Sequence, residues 1–171
     1  MVGRALDWIS KSLLVVAALL AFLLAFVVVA DVGGRVLFNT PLKGTPELVS
    51  GSIVVICYLQ ATYAILSGGM LSVEVFTLRM PVRLQAVVGV LASALGVLLF
   101  GVIAWGSVDG LHHAIVSGEY EGEGALRVPM WPIRLSVLVG STLAAVAYVV
   151  LIWRYVDAGR RGVALVSGAS H

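Results

Sequence analysis

Two adjacent histidines, His112 and His113, with Asp109 close by, are the first residues whose types suggest metal chemistry. Neighbours on a helix point about 100° apart, so these imidazoles do not clamp one ion and read instead as an interfacial helix end. A haem held between two helices needs a histidine on each, and the third histidine is His171 at the end of the chain. Glu119, Glu121 and Glu123 alternate with Tyr120 and Gly122. That spacing lacks the Asp/Asn-rich pattern of a calcium loop and reads as a solvated acidic loop. No Ser-His-Asp set, Gly-rich phosphate loop or carboxylate pair in a shared cleft can be assembled. The single cysteine, Cys57, excludes an internal disulfide and cysteine-pair redox chemistry. The sequence gives no ground for an enzyme, and neither a metal nor a cofactor is expected.

Composition accounts for the thin chemistry. Hydrophobic residues make up 60% of the 171 and charged residues 12%, with a mean hydropathy of +1.06, against about 25% charged in soluble domains. The chain is therefore an integral membrane protein with the lipid bilayer as its first partner, and no nucleic acid is expected. About 20 residues per span leave room for four spans. The expected fold is all-α: four transmembrane helices in a single domain covering 1–171, with a short interfacial helix between the second and third.

Residues 1–11 carry Arg4, Asp7 and Lys11 around Leu6, Trp8 and Ile9, and read as an amphipathic lead at the interface. Ser12 to Ala30 contains no charge. Its apolar core exceeds the 7–15 residues of a signal peptide and further spans follow, so it reads as a retained span, continuing to about Phe38. The second span, Leu48 to Ser67, follows Pro46 and Glu47, which suit a helix N-terminus. The third, Leu84 to Trp105, follows Pro81. The fourth, Ile133 to Trp153, follows Pro129 and Pro132 and ends in an aromatic and basic anchor. Between the second and third, Leu71, Val75, Leu78 and Val82 recur at helical spacing, which predicts the interfacial helix.

Lysine and arginine counts orient the chain. With the N-terminus in the cytoplasm, seven lie inside (Arg4, Lys11, Arg79, Arg83, Arg154, Arg160, Arg161) and four outside (Arg35, Lys43, Arg127, Arg134). Both termini are expected to be cytoplasmic.

Small residues line faces of the spans: Gly89, Ala92, Ser93 and Gly96 in the third, Ser136, Gly140, Ala144 and Ala147 in the fourth, and Ala18, Ala21 and Ala25 in the first. Such faces let another backbone approach closely, either within the chain or in a larger membrane partner. Gln60 is the most polar residue of the second span and needs a hydrogen-bond partner there. No Asp, Glu, Lys, Arg or His lies near the middle of any span, and broken half-helices are not evident. Carriers place such groups at depth for a substrate, ion or proton, at about 2.5–3.5 kcal/mol each on insertion scales.

The stretch from Ala30 to Leu48, ADVGGRVLFNTPLKGTPEL, is where the first apolar run turns polar. Asp31 and Arg35 are spaced to pair across one turn of a continuing helix, and Asn39, Pro41 and Gly44 then turn the chain. Asp31, Arg35, Asn39, Glu47 and Arg127 are the expected outer-side structural or partner contacts. Gly89, Ser93, Gly96, Gly140, Ala144 and Gln60 are the expected helix-packing set.

Asp31, Gly33, Gly34, Arg35 and Asn39, followed by Gly44 and Glu47, resemble the first-loop pattern of the small permease subunit of tripartite ATP-independent periplasmic transporters, the DctQ-like family. Gly69 to Glu74 resembles a second family segment, with Met70 where the family has a histidine. Ala125 to Pro132 is similar to the family's approach to the last span. The resemblance implies a bacterial inner-membrane subunit acting with a large permease membrane subunit and a periplasmic substrate-binding protein. In the family the large subunit holds the substrate and ion sites, and uptake of an organic acid is driven by an ion gradient. The small subunit then resembles a fixed scaffold. The alternatives are a self-contained small carrier or channel acting as a homo-oligomer, and a membrane enzyme or electron carrier.

Overall fold

The computed structural model describes residues 2–39, 44–67, 81–121 and 128–161. Helix α1 runs over Val2–Phe38, α2 over Thr45–Leu66, α3 over Val82–Ser117 and α4 over Trp131–Arg161. Strands β1 (Tyr120–Glu121) and β2 (Val128–Pro129) form a two-residue antiparallel ladder between α3 and α4. All four helices are long and apolar enough to cross a membrane. The expected interfacial helix between the second and third spans, with Met70, lies outside the described residues, as does Arg127.

The helices overrun the apolar runs that predict them. At 37 residues α1 is about 55 Å long, against about 30 Å of hydrocarbon. Residues 1–11, expected as an amphipathic lead at the interface, are from Val2 the first turns of α1, continuous with the span. No proline interrupts them, and Ser10 and Ser12 bond their hydroxyls to the carbonyls of Asp7 and Trp8 at 3.0 Å each. Leu6 and Ser10 are buried while Trp8 stands exposed. Helix α3 likewise passes Trp105 and continues to Ser117. It stops at Gly118, whose φ of 62° lies in the left-handed region open to a residue without Cβ, and whose N–H donates to the Ala114 carbonyl.

The helices form an open row in the order α1, α2, α4, α3: α1 packs on α2, α2 on α4, and α4 on α3, with only marginal contact between other helix pairs among the described residues. Close approaches give the directions. Gly51 of α2 meets Ile133 of α4, and two turns further along both, Tyr58 meets Gly140, so α2 and α4 are parallel. Gly89, Gly96 and Gly110 of α3 meet Tyr155, Tyr148 and Arg134 of α4 in turn, so that pair is antiparallel. Leu6, Ile65, Ala144 and Ala147 form the buried core, joined by the stacked rings of Phe100 and Tyr148 at 5.9 Å.

A row has two outer flanks. On α1, Val15, Leu19, Phe22, Phe26 and Val29 follow helical spacing and are exposed; on α3, Leu91, Leu95, Leu98, Val102 and Trp105 do the same. In water such faces would aggregate, whereas in a bilayer they meet acyl chains or another apolar helix.

Candidate functional site

Asp, Glu, Lys, Arg and His side chains lie toward the helix ends, leaving the middle of each helix without them. The candidate site is therefore a surface at one end of the row, where α1 and α3 finish and α2 and α4 begin.

On α1 the guanidinium of Arg35 donates from Nη2 to Asp31 Oδ2 at 2.9 Å. The carboxylate side chain is 8% exposed and the arginine 61%, so the buried partner is the acid and the charge facing out is the base. Asn39, just past the helix, has a φ of 50°, a conformation that asparagine tolerates better than most side chains. Gly44, also with positive φ, precedes α2, and Pro46 and Glu47 occupy its first turn, where the free N–H groups favour an acid. Glu47 Oε2 is buried with no hydrogen bond among the described residues.

The other half of this end is fastened by a pair that sequence reasoning missed. Arg134, in the first turn of α4, places Nη2 at 2.9 Å from each carboxylate oxygen of Glu119, just beyond α3, and donates to Oε1. Glu119 also accepts the Met130 N–H on its carbonyl and donates its own N–H to Ala114. It is thus a structural joint, not the freely solvated acid expected of this loop. The signal was present in an acid after a glycine helix stop and a base in the next first turn, but their separation of 15 residues hid it.

The packing set divides by what each residue meets. Gly140 faces backbone: a Cβ there would lie 2.5 Å from the Tyr58 carbonyl oxygen. Gly89 and Gly96 instead receive rings, since a Cβ would fall 2.6 Å from Tyr155 and 2.7 Å from Tyr148. The small face of α3 was expected to admit another backbone, and it admits tyrosines, because their rings span the gap to α4. Ser93, Ser136, Ala144 and Ala147 are buried, Gln60 is half-buried on α2, and Ala92 is exposed. Ala18, Ala21 and Ala25 are exposed too, whereas Ala17 of α1 is buried.

His112 and His113 are exposed near the end of α3. Among the described residues no three His, Cys, Asp or Glu side chains come together as a metal site. What the arrangement offers is a polar rim, fastened by two ion pairs, on an apolar body.

No curated protein and no solved structure matches the chain. The family model for tripartite ATP-independent periplasmic transporters, DctQ component, matches residues 24–158, from within α1 to near the end of α4. With most of its length matched and four helices able to cross a membrane, the chain belongs to the DctQ family, the small-subunit component of these transporters.

Proposed function

We propose that this subunit is a non-catalytic scaffold. It braces the large permease subunit in the bacterial inner membrane while that subunit carries out ion-gradient-driven uptake of an organic acid delivered by a periplasmic binding protein. Both termini lie in the cytoplasm, and the rim formed by Asp31, Arg35, Asn39 and Glu47 faces the periplasm. The outward apolar flank of α1 or α3 takes the large subunit.

The observation that supports this reading is the open row itself. Its inward faces are filled by glycine, serine and tyrosine contacts, its two flanks are apolar and uncovered, and no charged side chain stands at mid-helix to bind cargo. A carrier acting alone needs a polar pathway through the bilayer. A brace needs packing faces and interfacial anchors.

Reconstituting the large subunit with and without this chain tests the proposal. Substrate uptake should require both, and the two should purify together. Full uptake by the large subunit alone, or solute flux through liposomes holding this chain alone, would overturn it.

A further inference from the structure

At the end of the row opposite the rim, the start of α3 and the end of α4 enclose a lateral groove of about 360 Å³. Val87, Val90, Leu91, Tyr155 and Val156 line it together with Arg83 and Arg160. Both arginines are exposed, and neither pairs with a carboxylate among the described residues. The acid nearest in sequence, Asp157, is already engaged by Arg161 at 3.0 Å.

We propose that this groove binds an anionic glycerophospholipid, its phosphate between Arg83 and Arg160 and the upper part of one acyl chain along Val87, Val90 and Val156. Two features together select that occupant. Guanidinium groups match phosphate oxygens in charge and planar geometry and stay charged at any physiological pH. Apart from Tyr155, the residues between the arginines are aliphatic or glycine and offer water little to bond, whereas a hydrocarbon chain fills such a space without penalty. A free phosphate would use the arginines and leave the groove empty; an uncharged or zwitterionic lipid would fill the groove and leave two positive charges uncompensated. Basic sites between helices at the membrane surface are where anionic headgroups gain most. The orientation proposed above puts this lipid in the cytoplasmic leaflet, but binding itself depends only on the chain lying in a bilayer and not on any role in transport.

The test is native mass spectrometry of the full chain in detergent, titrated with phosphatidylglycerol, with phosphatidylcholine of the same acyl chains, and with inorganic phosphate. The phosphatidylglycerol adduct should form at about tenfold lower concentration than the phosphatidylcholine adduct, and inorganic phosphate should neither bind nor compete. The double variant Arg83→Gln/Arg160→Gln should erase the preference. Val90→Trp should weaken both lipids by filling the groove. Arg161→Gln, close by but outside the groove, should leave the preference intact. Circular dichroism establishes that each variant is folded. Equal binding of the two lipids by the wild-type chain overturns the site, as do a wild-type preference in the folded double variant, an equal loss in Arg161→Gln, or displacement by phosphate. A transmembrane segment of the large subunit that expels the lipid from the purified complex, with the groove filled by protein, would also overturn it.

Discussion

Arg134 and Glu119 hold the start of α4 to the end of α3, with Nη2 lying 2.9 Å from both carboxylate oxygens. A Cβ on Gly110 would come within 2.6 Å of Arg134 Nη1, so the guanidinium also rests on α3 itself. The ladder of β1 and β2 adds backbone hydrogen bonds to the same joint. An antiparallel pair that slides by one turn would break both, so the contact sets the register of α3 against α4 at this end.

Because each partner is about one-third exposed, the pair should contribute modestly. A double-mutant cycle of Glu119→Gln and Arg134→Gln, read from thermal unfolding in detergent, should show coupling of about 0.5–1 kcal/mol. Strictly additive losses would show that the two side chains act separately.

Gly140→Ala should be the costliest glycine substitution among the spans, by about 1–3 kcal/mol, because the atom it meets is the Tyr58 carbonyl and backbone cannot rotate away. Gly101→Ala meets nothing within 4 Å and should be neutral or stabilising by up to about 1 kcal/mol through helix propensity. Melting temperatures of the two variants side by side check this, and equal effects would mean that α2 and α4 do not approach so closely.

Removing the outward partner of a buried acid should matter more than its own exposure suggests. Arg35→Ala removes the guanidinium 2.9 Å from the Asp31 carboxylate, which is 8% exposed and keeps other contacts, at a cost of about 0.5–1.5 kcal/mol. Co-purification with the large subunit and substrate uptake should both fall severalfold. Unchanged yield and unchanged transport would remove Arg35 from the partner-facing rim.

Orientation has a direct readout. In a Cys57→Ala background, Asn39→Cys should react with a membrane-impermeant maleimide on intact spheroplasts, and Arg161→Cys only after permeabilisation. The reverse pattern would place both termini in the periplasm.

Sequence alone determined four helices long and apolar enough to cross a membrane, because uncharged runs of bilayer length favour the helix, which satisfies its backbone polar groups internally. It also determined the Asp31–Arg35 pair, since residues four apart on one helix meet whatever surrounds them. Contacts between helices were beyond its reach. Periodicity marks a small-residue face but does not say which helix arrives there, so the tyrosine rings of α4 against Gly89 and Gly96, and the Tyr58 backbone against Gly140, came from packing alone. The same holds for Glu119 with Arg134, and for Ala17 rather than Ala18 turning inward on α1. That the helices stand in an open row, with two apolar flanks uncovered, was decided only in three dimensions. Every span is apolar on nearly all sides, so the hydrophobic pattern carries little directional information, and shape complementarity at a few glycines and tyrosines selects the neighbours.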